Sequence, residues 1–145
     1  MNKTYIPKNI KNKEIQWYLV DAKNKNLGRL STKIALMLKG KNDIEYAPYI
    51  NSMNYIIIIN AKYINITGQK RSQKLYKRHS GRPGGLKTET FDSLNQRIPT
   101  RIIEKSIRGM LPKNTLGRQL FRQVKIYTDN NHPHVAQHKQ IITLK

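Results

Sequence analysis

YIIIIN, Tyr55 to Asn60, is the most informative run in the chain. Its first five residues are apolar without a break and four of them are β-branched, so no polar position marks a solvent face. A run this short reads as a strand covered on both faces, the pattern of a parallel sheet, and not as a buried helix. Upstream, WYLVDA (Trp17 to Ala22) predicts a second strand and KNKN a turn. In LGRLSTKIALMLKG, Leu30, Ile34 and Leu38 then recur at helical spacing until Gly40 closes the helix. Downstream, YINITG (Tyr63 to Gly68) sets Ile64 and Ile66 against Asn65 and predicts a further strand.

From Gln69 to Lys87 the apolar pattern stops, and almost every residue is basic, polar or glycine. No sheet or helix period explains residues 69–88, which are expected to form a surface loop. Helical spacing resumes after Pro99, with Ile103, Ile107 and Met110 toward the core and Arg101, Lys105 and Arg108 on an opposite stripe, until Pro112 stops it. A shorter helix, Thr115 to Arg122, is expected to bury Leu116 and Leu120. It presents Arg118 and Arg122 one turn apart, both candidates for RNA contact. VKIY, Val124 to Tyr127, reads as the last strand. This order predicts one α/β domain with a mainly parallel sheet at residues 16–130, a basic arm at 1–15 and a tail at 131–145. A chain of 145 residues suits one such domain, which buries roughly 70% of the surface exposed by its unfolded form.

Charge narrows the partner. The 28 Lys and Arg against 8 Asp and Glu give a net +20, a self-repulsion that a polyanion would relieve. Nucleic acid is the first expectation, ahead of an anionic membrane surface or a merely basic soluble protein. YIIII is the longest apolar run, too short to span a bilayer, and MNKTYIPKN lacks the apolar core of a secretory signal. With no cysteine there is no disulfide framework, thiolate metal site or cysteine nucleophile. The 19 Lys, 14 Asn and 19 Ile have A/T-rich codons, as in the reduced genome of an organelle.

Catalytic chemistry finds little support. GRPGG lacks the Lys and Ser/Thr of a phosphate-binding P-loop, and neither it nor GQKR has the glycine spacing of a dinucleotide turn. His132, His134 and His138 crowd the tail, but zinc there would need a fourth ligand and Asp129 is the only nearby carboxylate. Imidazoles that hydrogen-bond or stack on RNA are the better reading. The acids are scattered, with only Asp43 and Glu45 close together, and Ser80 beside His79 makes no triad. No enzyme activity, cofactor, metal or small-molecule substrate is expected. What remains is a basic surface: Lys70, Arg71, Lys74, Lys77, Arg78, Arg82 and Lys87 offer charge to phosphates. Tyr76 and His79 offer flat groups to exposed bases, and Gly84 and Gly85 allow close backbone approach.

WYLVDAKNKNLGRLSTKIA, YIIIINA, TGQK, RHSGRPGG, RGMLPKNTLGR and HPHVAQH, taken in this order from Trp17 to about Gln137, resemble the large-subunit ribosomal protein L-thirteen family of bacterial and organellar type. The resemblance implies a three-layer α/β/α domain with a four-stranded parallel sheet. It also implies a structural component of the large ribosomal subunit that binds the large, 23S-type rRNA, joins assembly early and meets neighbouring ribosomal proteins. A free RNA-binding translational regulator is the alternative, since some members are linked to mRNA. Carried over by motif, Arg108, Lys113 and Arg118 and the tail residues His132 and His134 join the loop as RNA contacts. Three positions depart from the family: Arg82 stands where a Tyr is usual, Asn51 to Asn54 where acids are usual, and AQHKQIITLK replaces a short tail. The arm is short, with no Arg before Arg29, and does not read as a transit peptide. The expected location is the ribosome of a plastid, in the chloroplast stroma, with a bacterial cytoplasm as the alternative.

Overall fold

The computed structural model describes residues 15–137 and, as backbone, 140–141. Among these are six strands: β1 (Gln16–Asp21), β2 (Asn54–Ile59), β3 (Leu75–His79), β4 (Leu86–Thr90), β5 (Val124–Ile126) and β6 (Gln140–Ile141). The helices are α1 (Leu27–Lys39), α2 (Lys70–Gln73), α3 (Phe91–Arg97), α4 (Thr100–Met110) and α5 (Thr115–Arg122). Four strands form a sheet in the order β5-β2-β1-β6, every pairing parallel. The mainly parallel α/β class expected from YIIIIN is therefore the one observed.

The isoleucine run explains itself in this sheet. Ile56 and Ile58 lie on one face with Val20, under Leu30, Ile34 and Leu38 of α1, Ile103 and Ile107 of α4 and Leu120 of α5. Ile57 and Ile59 lie on the other face with Leu19, and Trp17 and Tyr127 pack against them. Full burial of each such side chain stabilises by about 1.5–3 kcal/mol, which is why all four positions are aliphatic. No helical side chain joins the second cluster among the described residues. The third layer implied by the family is supplied there by the segment that follows β5.

α1 ends where the sequence places its stop. Gly40 has φ 68°, and its N–H donates to Met37 O at 3.0 Å. A Cβ at Gly40 would lie 2.7 Å from Ser52 Cβ, so this turn needs glycine both for its backbone and for its space. Buried polar groups then pin the connection to β2: Asn54 Nδ2 donates to Met37 O at 2.9 Å, and Gln123 Nε2 to Asn51 Oδ1 at 3.0 Å.

Five local readings need correction. YINITG is not a strand: Ala61–Tyr63 is a single 3-10 turn, and only an isolated bridge joins Asn26 to Asn65. Both edges of β2 are already paired, and the chain turns away at Asn60, φ 58°. Residues 69–88 are not an irregular loop but contain α2 and most of an antiparallel hairpin, β3 with β4. Of the two hairpin strands only Tyr76 is buried, so no alternating apolar face advertises them. α3 was not expected either, because its buried anchors are only Phe91 and Leu94. In α4, Ile102 is buried and Met110 exposed; the helix ends at Met110 and Leu111 turns inward in its place. In α5, Leu120 is buried but Leu116 only partly.

Candidate nucleic-acid interface

The hairpin converts the basic run into a two-sided ribbon. Arg78 pairs with Lys87 and Tyr76 with Glu89, which places these four on one face; Lys77 opposite Thr88 and His79 opposite Leu86 occupy the other. Like charges directly opposite each other on a ribbon repel, so the Arg78–Lys87 pair favours an anion above it. The tip is a type II turn: Gly85 N–H donates to Arg82 O at 2.9 Å, Pro83 holds the second position and Gly84, φ 72°, the third. A Cβ at Gly85 would lie 2.9 Å from the backbone Arg82 O and would also make Ser80 Oγ swing away, so the closing position favours glycine. His79 Nδ1 accepts from Gly81 N–H at 2.9 Å, which leaves Nε2 to carry the proton of the neutral ring outward. Arg82 is exposed at the tip.

Between the hairpin and α4 lies a cleft of about 190 Å³. Arg78, Lys87, Arg97, Arg101 and Lys105 line it around a single carboxylate, Glu89, and Lys77 borders it from a strand position on the ribbon's other face. Both oxygens of Glu89 accept from Arg97 Nη2 at 2.7 Å. This hydrogen bond, helped by the charges of Arg97, Arg101 and Arg78, holds the Glu89 carboxyl below its ordinary value. A depressed carboxylate stabilises the fold fully above its unfolded value and loses that contribution as pH falls through the folded one. Acid titration of the wild type is thus expected to open the pair below the usual Glu range, and Glu89→Gln is expected to abolish that transition. The same substitution frees one guanidinium, so RNA-fragment binding should tighten and its salt slope steepen by about 1 unit; unchanged binding would show that Arg97 takes no part.

Tyr76 does not present its ring to bases. It is buried in the core, with Lys74 Nζ 5.5 Å and Lys105 Nζ 5.2 Å from the ring centroid. The ring is a support that positions two cations. Burial raises the phenol pKa, and the hydroxyl is buried with no hydrogen-bond partner. Since an unsatisfied buried hydroxyl costs about 1–3 kcal/mol, Tyr76→Phe is expected to hold or raise thermal stability and to leave RNA binding intact. A loss of binding in this variant would return the hydroxyl to the interface.

A second, larger groove of about 670 Å³ runs between the end of α4 and α5. Lys105, Arg108, Lys113, Arg118 and Arg122 line it above an apolar floor that includes Leu111 and Phe121, with no acidic residue among the described lining. Asn114 caps α5 by accepting from Gly117 N–H at 2.8 Å. A Cβ at Gly117 would lie 1.8 Å from Pro112 O, so α5 can approach this turn only through glycine. Lys105 lines both depressions, so the two are neighbours. Lys70 and Lys74 border a third depression of about 500 Å³ beside Gly28 and Met110, and Arg71 is exposed on α2.

His132 and His134 fall elsewhere. His132 lies 6.1 Å and His134 5.9 Å from Tyr127 between ring centroids, and His134 stacks on Trp17 at 5.6 Å. Their rings cap the sheet face opposite the helices, where His134 N–H donates to His132 Nδ1 at 3.2 Å. The third tail histidine, His138, lies outside the described residues. Arg97, Arg101 and Lys105 are the site residues that the sequence did not single out. The last two were visible as a helical stripe, whereas Arg97 belongs to the unexpected α3.

Residues 15–133 match the family described as Ribosomal protein L13, a span that takes in the hairpin, the cleft and the groove. The chain belongs to the ribosomal protein L13 family. The membership expected from the motifs is thereby established. This L13-family chain is 61% identical over 143 residues to a protein of Gracilaria tenuistipitata var. liui named large ribosomal subunit protein uL13c, with 99% of each chain covered. It is 54% identical over 145 residues to the uL13 protein of Acaryochloris marina, covering 100% of this chain and 95% of that one. With the uL13 protein of Prochlorococcus marinus strain SARG it shares 55% identity over 144 residues, 99% of this chain and 95% of the relative.

Proposed function

We propose that this chain is a structural constituent of the large ribosomal subunit that binds the large rRNA, supports early subunit assembly and catalyses no reaction. The observation that carries this reading is the gathering of five cations around one already neutralised carboxylate in the cleft, next to an acid-free groove that shares Lys105 with it. In such a surface Lys and Arg replace the counterions of phosphates and let RNA segments pack closely. The sheet contributes rigidity, so that the hairpin tip with His79 and Arg82, the cleft and the groove hold fixed positions along the RNA.

The naming of the relatives as large ribosomal subunit proteins supports the same reading. Lys70, Arg71 and Lys74 extend the basic surface along α2, while Gly84 and Gly85 shape the tip. His132 and His134 serve the sheet cap, with RNA contact left to their exposed edges. The Lys-, Asn- and Ile-rich composition favours a plastid stroma over a bacterial cytoplasm. Sedimentation of cell extract at low and high salt tests the assignment. The chain is expected to run with large subunits in both; a pool free of subunits in both overturns the reading and favours a free mRNA-binding regulator.

A further inference from the structure

From Asn42 to Ala61 the chain has no lysine or arginine, although these make up 28 of its 145 residues. The formal charge of the run is that of Asp43 and Glu45 alone, two of the eight acids. Its first part, Asn42 to Met53, connects α1 to β2 and carries apolar side chains on the outside. Ile44 is fully exposed and Tyr49 is 56% exposed, with Tyr46 and Met53 also exposed.

The loop is nonetheless built. Asp43 N–H donates to Gly40 O at 3.0 Å, Tyr46 N–H to Asp43 O at 3.2 Å and Ile50 N–H to Ala47 O at 3.2 Å, three successive turns. Ala47 is buried, Ser52 Oγ donates to Leu38 O, and Gln123 holds Asn51 from α5's end. Isoleucine and tyrosine are thus displayed on a preformed frame, which lowers the ordering cost of binding. Aromatic and aliphatic anchors with few lysines are the composition of a protein interface core, and exposed apolar patches mark such sites. The charge argues against RNA here: the run brings no lysine or arginine to a phosphate, and the Glu45 carboxylate repels one.

We propose that the Asn42–Met53 loop is a docking surface for a basic segment of a neighbouring large-subunit protein, one that places lysine or arginine against Glu45 and an apolar side chain against Ile44 and Tyr49. The proposal rests on the ribosomal reading for its setting and on the loop's own chemistry for its partner class.

Carbodiimide-promoted coupling of Glu45 to added glycinamide, read by mass spectrometry, tests it in intact large subunits and in the isolated full chain. Coupling is expected to fall at least fivefold in subunits. Without glycinamide, a Glu45 amide crosslink to a lysine of another protein is expected wherever that partner supplies lysine. Equal coupling in both samples, for a chain that sediments with subunits, overturns the docking surface and leaves the ribosomal reading standing. Protection accompanied by ultraviolet crosslinks from Tyr46 or Tyr49 to rRNA, and by no protein crosslink, overturns it in favour of RNA. A chain absent from the subunits fails both readings, and the gradient shows this before any labelling.

Discussion

Replacing Arg78, Arg101 and Lys105 together with alanine is expected to flatten the salt dependence of rRNA-fragment binding by about 2–3 units of slope. Each phosphate contact contributes about 0.7 to 0.9 of a unit, and three cations leave the cleft at once. At 0.1 M salt the same arithmetic lowers affinity by about two to three orders of magnitude. The effect is large because of position. Arg78 comes from the hairpin and Arg101 and Lys105 from α4, so the variant strips both walls of the cleft, and Lys105 is also lost from the adjoining groove. None of the three is a core residue, so circular dichroism is expected to remain that of the wild type. An unchanged slope would mean that the cleft holds no phosphate and that Glu89 alone satisfies its cations.

The second large effect is on the fold. Gly117→Ala is expected to destabilise by about 3 kcal/mol, since overpacking a closed site costs 1–3 kcal/mol and here the obstruction is backbone. The new Cβ would sit 1.8 Å from Pro112 O and 2.8 Å from Pro112 C, so α5 must move away from its own capping turn. For a chain of this size that is a fall in Tm of roughly 6–12 °C. Arg118 and Arg122 move with the helix, so binding through the groove should weaken as well. Gly109, eight residues earlier on the exposed side of α4, has no atom within 4 Å of an added Cβ. Gly109→Ala is accordingly expected to be neutral or to stabilise by up to about 1 kcal/mol through helix propensity. Equal melting temperatures for the two variants would show that α5 does not depend on this close approach.

These two glycines illustrate what the sequence discloses. Both stand in RGMLPKNTLGR, and nothing in the letters tells the open position from the closed one; only the approach of Pro112 O does. Where burial is two-sided, the letters suffice. The four isoleucines of β2 need cover on both faces, which a parallel sheet supplies, and the 30/34/38 spacing of α1 with Gly40 at its end marks the first crossover. Where burial is slight, they do not. The hairpin strands bury a single residue, Tyr76, and α3 is anchored by Phe91 and Leu94 alone, so neither carries a period.

The same contrast governs the site. Basic residues near the RPGG turn were legible as a candidate site because glycine and charge coincide there. Their assembly with Arg97, Arg101 and Lys105 was not, because it depends on the hairpin folding over α4 through Tyr76. That one ring, expected at the surface, is what ties the run to the core. The tail histidines err in the opposite direction: a polar, unperiodic HPH looks free, yet Trp17 and Tyr127 give it an aromatic surface to cover.

Reductive methylation of lysine in intact large subunits shows whether rRNA covers the cleft and the groove. Lys77, Lys87, Lys105 and Lys113 are expected to be protected relative to the isolated chain and to regain reactivity when the rRNA is digested with nuclease. If these four amines react in the subunit as they do in the isolated chain, or stay protected after the rRNA is gone, the surface described here is not where this protein meets RNA.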